Sequence, residues 1–378
     1  MISLDFEQTL DDKLRQQRYD RYAWQSVAKL ALPKERVSRC LRYPFNKSDV
    51  EVYKHKETKK AFYSGLAVCG SVWHCPVCAA KISERRRQEL KHIFDSHLKT
   101  GGKIALLTLT FSHKKNDSLK NLLQKFSKAS GSFRSGKRYA KLRDQMGMIG
   151  SVRAFEITYG SNGFHPHTHT LLFYTNEVDL KDIKDKMYDL WFNATNKQGL
   201  KINKEHGLDL KTGEKADEYL AKHGTWSLDR EMTKSHIKKG KTDKQSGERS
   251  LTPFDFLRMY LDYGDDKYLK LFQEYGTCLK GKVQLAWHGG LKQLYQVEDK
   301  SDEQLATESR EEADLLGMID YFTWKRIVKT DKRATFLDLC EKKDFETALK
   351  TILDDKSKEN KKAPGKGFEQ KQIKQLNN

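Results

Sequence analysis

Three histidines recur at every second position of one short segment, as His165, His167 and His169. Successive side chains of a β-strand point to opposite faces, so these three imidazoles would share one face of a strand. Half-exposed strand histidines without a ligand are the ordinary alternative. The third histidine and the apolar run that follows it favour a metal-binding site instead.

A carboxylate is expected beside these imidazoles. Residues 152–159 have the pattern of a strand, and residues 160–163 are turn formers. If those four residues form the loop of a hairpin, Glu156 lies across from His167 on the same face. Imidazole and carboxylate ligands suit Mg²⁺, Mn²⁺ or Zn²⁺, and the sequence does not choose among these ions.

Four of the six cysteines form a second candidate metal site. Cys75 and Cys78 belong to a Cys-Pro-Val-Cys knuckle, Cys69 precedes it, and Cys40 stands farther upstream. In a reducing compartment such a cluster is typical of metal ligation and not of disulfides. Because four thiolates fill the tetrahedral coordination of zinc, we predict a structural zinc site. Four buried cysteines without a metal are the alternative.

The charge of the chain points to a polyanionic partner. Lysine and arginine exceed aspartate and glutamate by 19, and the sequence pI is about 9.4. Basic side chains that neutralise phosphates release counterions, so nucleic acid is the leading candidate, and a basic protein without such a partner is the alternative. No apolar run reaches the roughly 20 residues of a membrane span, and the N-terminus lacks a signal-peptide pattern. We expect a cytoplasmic protein.

The order of predicted elements indicates an α+β fold. From residue 103 the order is β-α-β-β-α-β, which favours a central antiparallel sheet flanked by helices. One long helix is expected over residues 118–146, and a small hairpin within residues 51–63. The predicted organisation is a helical N-terminal arm (1–35), a zinc-binding region with a basic helix (36–100), a catalytic domain (101–295), a small helical module (299–353) and a disordered basic tail (354–378).

A tyrosine and a lysine complete the candidate chemistry. Residues 214–223 have a helical pattern, and Tyr219 and Lys222 are three residues apart, which makes them neighbours on one helix face. With a cation at the histidines and a basic surface, these residues suggest phosphoryl transfer on nucleic acid, in which the tyrosine oxygen attacks phosphorus. A phosphotyrosyl ester preserves the bond energy for later rejoining.

Three motifs together resemble those of the HUH endonucleases, and among them the single-tyrosine replication initiator (Rep) proteins of rolling-circle plasmids. Residues 106–111 resemble the first strand motif of this family, and residues 163–169 resemble its metal motif. Residues 219–222 are similar to its Tyr-x-x-Lys nucleophile motif. The cysteine-rich residues 69–82 are typical of one branch of these initiators. The resemblance covers about residues 36–295 and implies an HUH, ferredoxin-like nuclease core.

The resemblance also implies roles for individual residues. Tyr219, with Lys222 beside it, would cleave one strand at a plasmid origin, remain on the 5′ phosphate and leave a 3′ hydroxyl. His167 and His169 would be the principal ligands of Mg²⁺ or Mn²⁺, whereas His165 belongs to the less constant part of the motif. Single-stranded origin DNA, a host helicase and a host DNA polymerase would be the partners.

One departure from the family pattern concerns termination. Initiators of this kind place a carboxylate about one helical turn before the tyrosine, where this chain has Lys215. The group that activates water for termination is therefore unassigned, as are the origin sequence and the oligomeric state.

Three other functions are compatible with the sequence. A mobilisation relaxase or a transposase of the same superfamily would use the same chemistry. A zinc-ribbon DNA-binding regulator would need no catalysis and would not depend on Tyr219. A metal-dependent hydrolase of small molecules would need further ligands at later strand ends, which the sequence does not show.

Overall fold

A computed structural model of the chain describes residues 10–212 and 250–355. The element numbers below count only helices and strands within those residues. In chain order the elements are α1 (Leu10–Ala31), β1 (Val50–His55), β2 (Ala61–Ser64), α2 (Pro76–Lys99), β3 (Lys103–Leu109), α3 (Leu119–Arg134), α4 (Lys137–Met146), β4 (Met148–Gly160), β5 (Gly163–Tyr174), α5 (Leu180–Asn196), β6 (Leu208–Thr212), α6 (Pro253–Tyr263), α7 (Asp266–Leu279), β7 (Leu285–His288), α8 (Leu291–Leu294), α9 (Asp302–Ala306), β8 (Ala313–Ile319), α10 (Tyr321–Lys329), α11 (Arg333–Lys342) and α12 (Phe345–Asp354). None of the described helices is both long and apolar enough to span a bilayer.

The chain divides into two compact units, which are described separately. The first unit comprises the described residues of Met1–Ile82, Phe256–Gln273 and Ser301–Asn378. The second comprises those of Ser83–Asp255 and Glu274–Lys300. The domain boundaries drawn from the sequence stay predictions.

The first unit contains a three-stranded sheet with the order β2-β1-β8. Strands β1 and β2 form the hairpin predicted within residues 51–63, with Val52 opposite Tyr63. Strand β8 pairs antiparallel with the other edge of β1 and lies in residues 299–353, where the sequence analysis predicted a helical module. That module is therefore helical only in part. Leucine and methionine suit a helix or a strand, and pairing with β1 decides between them.

The second unit contains a five-stranded antiparallel sheet with the order β6-β3-β5-β4-β7. Its elements follow the predicted β-α-β-β-α-β order, with β7 added at one edge beside β4. The α+β class with antiparallel sheets flanked by helices is confirmed. Strands β4 and β5 have the most extensive pairing in this sheet, because they are paired along almost their whole lengths.

The sequence analysis predicted one helix over residues 118–146, but the structure has two helices there, α3 and α4. The prediction is wrong at the break between them. Ser118 caps the start of α3 by accepting a hydrogen bond from the backbone N–H of Asn121. Gly136, between α3 and α4, has a φ of 101°, a conformation that glycine adopts without the steric cost that other residues bear. The Ser-Gly pair therefore breaks the helix, although the apolar periodicity continues on both sides of it.

The two faces of the five-stranded sheet are packed against different helices. The face that carries the histidines meets α2 in an apolar core, formed by Leu90, Ile93, Phe94, Ile104, Val152, Leu171 and Phe173. The opposite face is covered by α3, α4 and α5. There the rings of Phe126 and Phe155 lie 6.1 Å apart, and the fully buried Trp191 meets Phe126 edge-on. Burial of each large side chain contributes roughly 1.5–3 kcal/mol, so the strands that carry the histidines are firmly held.

Candidate metal centres

The β4–β5 hairpin has the register expected from the sequence. Glu156 pairs with His167 and Tyr159 with Phe164, as predicted, and the pairing continues to Gly160 and Gly163. Only two residues remain for the turn. Because paired residues of adjacent strands point to the same face, the Glu156 carboxylate and the odd-numbered imidazoles of β5 converge.

Glu156, His167 and His169 form one compact group, which we call the histidine centre. The Oε2 atom of Glu156 lies 3.2 Å from Nε2 of His167 and 3.3 Å from Nε2 of His169. Ligands about 2.1 Å from a metal lie about 3.0 Å apart at octahedral corners and about 3.4 Å apart at tetrahedral corners. The three atoms therefore fit a single divalent cation, and the distances do not choose its geometry.

Two further hydrogen bonds orient these imidazoles. Nδ1 of His167 lies 3.2 Å from the backbone carbonyl of His165. A carbonyl can only accept, so Nδ1 carries the proton and Nε2 has a free electron pair directed toward Glu156. Nδ1 of His169 lies 3.0 Å from the hydroxyl of Thr108 on β3. Such contacts behind the ligands fix ring orientation in metal sites.

His165 lies outside this group, and its assignment as a metal ligand stays a prediction. Its Nδ1 atom lies 2.8 Å from Nε2 of His113, whose Nδ1 in turn donates to the carbonyl of Asn162. Burial, with His167 and His113 nearby, lowers the pKa of His165 to about 3, against the opposing effect of Glu156. His113 was missed by the sequence analysis; a polar residue just beyond the end of a buried strand was the available signal.

The four predicted cysteines come together in the first unit. Cys40, Cys69, Cys75 and Cys78 are all buried, and their sulfur atoms lie within 4.8 Å of one another. The separations are 3.5 Å for Cys40–Cys78, 3.6 Å for Cys69–Cys78 and 3.8 Å for Cys75–Cys40. Four sulfurs about 2.3 Å from a zinc ion would lie about 3.8 Å apart, so this cysteine cluster fits the predicted ion.

Hydrogen bonds within the cysteine cluster favour negatively charged sulfur at Cys75, whereas they raise the pKa of Cys69 and of Cys78. Gln25 and the backbone N–H of Cys78 both donate to Sγ of Cys75. Burial alone would raise the pKa of Cys75, but hydrogen bonds from the other cysteines and from Cys78 N–H lower it well below its usual value. The buried Arg42 and Arg333 both donate to the side-chain oxygen of Gln25. Two buried positive charges would offset the net charge of four thiolates around Zn²⁺.

The predicted nucleophile belongs to a segment that the structure does not describe. Tyr219 and Lys222, like Lys215, lie outside the described residues. The described residues on either side of that segment each pair with a strand of the five-stranded sheet, one as part of β6 and the other through an isolated bridge. Thr212 ends β6 opposite Ala105, and Leu251 pairs with Tyr159 on β4. Thr212 and Leu251 thus both pair with strands of the sheet that carries the histidine centre.

Comparison with known proteins places the chain in a family. A family model described as "Replication protein" (Rep_1) matches residues 65–332, which is more than half of the chain. "Protein rep" of Streptomyces lividans is 34% identical, and the similarity covers 29% of this chain and 30% of that protein. "Neomycin resistance protein" of Streptomyces cyanogenus is 29% identical over the same shares. The chain thus spans less than a third of the length of these relatives. No solved structure gives a significant match. By the extent of the family match, the chain belongs to the Rep_1 family of replication proteins.

Proposed function

We propose that this protein initiates rolling-circle replication of a plasmid by nicking one DNA strand at the origin. The observation that carries the proposal is the histidine centre, in which three ligand atoms from two paired strands converge on one face of the sheet in a member of a replication protein family. The family match supports an initiator over a mobilisation or transposition enzyme. The Glu156–His167–His169 group supports an enzyme over a regulator without catalysis.

The proposed reaction exchanges one phosphate ester for another. The phenol oxygen of Tyr219 loses its proton and bonds to the scissile phosphorus, while the bond from phosphorus to the 3′ oxygen breaks. The departing oxygen takes up a proton and becomes the 3′ hydroxyl from which a polymerase can extend. Lys222, three residues after the tyrosine, would stabilise negative charge on the phenolate or on the phosphate. Attack by a 3′ hydroxyl on the phosphotyrosine reverses the exchange and rejoins a strand.

The residues of the histidine centre would position the phosphate. His167, His169 and Glu156 would hold a divalent cation, which when bound supplies positive charge to the oxygens of the scissile phosphate. Thr108 and the backbone of His165 keep the two imidazoles in the orientation that this requires. Three protein ligands leave coordination positions for phosphate oxygens, unlike the four thiolates of the cysteine cluster.

The test is a covalent protein–DNA adduct that survives denaturation. The wild-type protein is incubated with single-stranded origin DNA and Mn²⁺ or Mg²⁺, and the adduct is separated on a denaturing gel. Tyr219→Phe should abolish the adduct and retain DNA binding, because only the attacking oxygen is removed. Tyr263→Phe, which alters a tyrosine that is 69% exposed on α6, is the matched control and should form the adduct normally.

The opposite pattern would count against the proposal. An undiminished adduct in Tyr219→Phe would assign the nucleophile to another residue. DNA binding without any adduct in the wild type, under conditions where the ion is shown to bind, would favour a regulator without catalysis.

A further inference from the structure

A second site of unusual chemistry lies on the sheet face opposite the histidine centre. There β3, β4 and β5 meet α3 and α4 around a small, partly open pocket of about 20 Å³, which is room for about one water molecule. We call it the arginine pocket. Its polar lining consists of Ser130, Arg134, Tyr139, Ser151, Arg153, Thr168 and Thr170. The register explains the separation from the histidines, because Arg153 and Thr170 pair on adjacent strands and alternate with the residues of the opposite face.

The arginine pocket gathers positive charge without a carboxylate. Arg134 and Arg153 line it, no acidic residue does, and neither arginine has an ion-pair partner among residues 10–212 and 250–355. Burial, and then the nearby Arg134, lower the pKa of Arg153. His288 lies close enough for both arginines to lower its pKa, in addition to the effect of burial. Buried or half-buried cations in proteins are normally paired, so such a group calls for an anion.

Two polar atoms in the arginine pocket have no hydrogen-bond partner within the part of the chain that the structure describes. They are Nε of Arg153, which is shielded from solvent, and Oγ of Ser130, whose residue is only 5% exposed. Buried polar atoms are paired in the great majority of cases, and a ligand is one reason for an exception. A guanidinium N–H and a hydroxyl both donate well to a phosphate oxygen. These donors, with the two positive charges, match a phosphate group.

The surface around the arginine pocket extends this positive charge along two helices. Residues 119–146 contain one acidic residue, Asp144, and eight basic residues that form no ion pair within the described part of the chain. These are Lys120, Lys125, Lys128, Arg134, Lys137, Arg138, Lys141 and Arg143. All but the half-buried Lys125 are exposed. Because α3 and α4 bury their apolar sides on the sheet, these cations lie on the outer surface.

The length of this surface exceeds what one small anion needs. At 1.5 Å per residue, the helix from Lys120 to Arg134 spans about 21 Å, which corresponds to about six base pairs at 3.4 Å each. Lys120 and Lys128 also line an open groove beside α3, together with Lys282. A row of cations of this length suits a polyanion that presents phosphates in succession.

We propose that α3 and α4 form a second DNA-binding surface, in which Arg134 and Arg153 bind one backbone phosphate at the mouth of the arginine pocket. The choice of DNA as the ligand of this surface rests on the proposed function, but DNA can bind to the surface without being cleaved. The surface lies on the sheet face away from the histidine centre. A duplex segment is thus bound on α3 and α4, and the strand to be cut is bound at the other face.

The experiment measures how the affinity for a short non-origin duplex depends on salt. Each phosphate contact contributes about −0.9 to the slope of log K against log salt concentration. Arg134→Gln should therefore reduce the slope by about 1 and weaken binding by about tenfold at low salt. Arg153→Met should act in the same way, and the exposed Arg134 variant carries the test if the Arg153 variant does not fold. Lys350→Gln, an exposed cation on α12, removes the same charge and should leave the slope unchanged.

Two results would overturn the inference. The first is a slope in Arg134→Gln equal to that of Lys350→Gln. The second is a pair of observations. Inorganic phosphate stabilises the wild type against heat more than chloride does at equal ionic strength, and both arginine variants bind the duplex as the wild type does. The ligand of the arginine pocket would then be a small phosphate ion. Both arginine variants should still form the covalent adduct with a short single strand. A wild type that binds duplex but forms no adduct would overturn the proposed function and leave this inference standing.

Discussion

The cysteine cluster and the histidine centre differ in how much of a metal ion's coordination they fill. The cysteine cluster offers four ligands that are at most 3% exposed, and further buried side chains surround it. The histidine centre offers three ligand atoms, on side chains that are 5–12% exposed at the surface of a sheet. A filled tetrahedral site stabilises a fold, whereas a partly filled site can also bind a substrate oxygen. The two candidate metal sites of this chain are thus suited to opposite tasks.

The largest effect is expected from breaking the cysteine cluster. Cys78→Ser should abolish zinc binding and unfold the first unit, because structural zinc contributes about 10–16 kcal/mol in small domains and typical stabilities are about 5–15 kcal/mol. Zinc content per chain and hydrogen exchange within the first unit measure this. Cys278→Ser, at a half-buried cysteine of α7, is the control and should retain zinc. A folded, active Cys78→Ser protein without zinc would remove the structural role.

A ligand of the histidine centre should show the reverse pattern. His167→Ala should slow adduct formation by at least about 100-fold and change the free energy of unfolding by no more than about 1 kcal/mol. The reason is that the imidazole holds an ion near the substrate and contributes little apolar packing. His206→Ala, whose side chain is 79% exposed, serves as the control in the same assay. Global unfolding of His167→Ala would mean that this site, too, is structural.

A smaller effect is expected from removing the Thr108 hydroxyl that contacts His169. Thr108→Val keeps the shape of the side chain and removes the partner of Nδ1, so the affinity for Mn²⁺ should fall by about tenfold. Isothermal titration calorimetry measures this affinity. Thr168→Val makes the same change at a buried position on the opposite sheet face and should not alter it. Equal affinities in the two variants would mean that Thr108 does not orient the ligand.

The smallest effect is expected at His165. Its backbone carbonyl supports His167, and that contact survives substitution of the side chain. His165→Ala should therefore change Mn²⁺ affinity by less than about threefold, well below the effect of Thr108→Val. If His165→Ala lowered the Mn²⁺ affinity as much as His167→Ala does, His165 would be a further ligand. The histidine centre would then leave fewer coordination positions for a substrate than three ligands leave.

The sequence was most informative where short-range periodicity and turn residues act together. The register that brings Glu156 to His167 followed from alternation and from the glycines at 160 and 163. The four cysteines followed from thiolate chemistry and spacing. Long-range pairings were not accessible in this way. The pairing of β8 with β1, the contact of His113 with His165 and the convergence of Arg134 and Arg153 join distant segments, and no local propensity specifies them.

We propose that Tyr219 becomes linked to DNA whose phosphate is bound at the histidine centre. The most direct measurement is mass spectrometry of the wild-type adduct after nuclease and trypsin digestion. The peptide of residues 216–222 contains a single tyrosine, Tyr219. We expect this peptide to carry the nucleotide phosphate, and the modified peptide to disappear when Mn²⁺ is withheld or His167 is replaced. A nucleotide on any other peptide, or an adduct that forms equally well without the ion, would contradict this proposal.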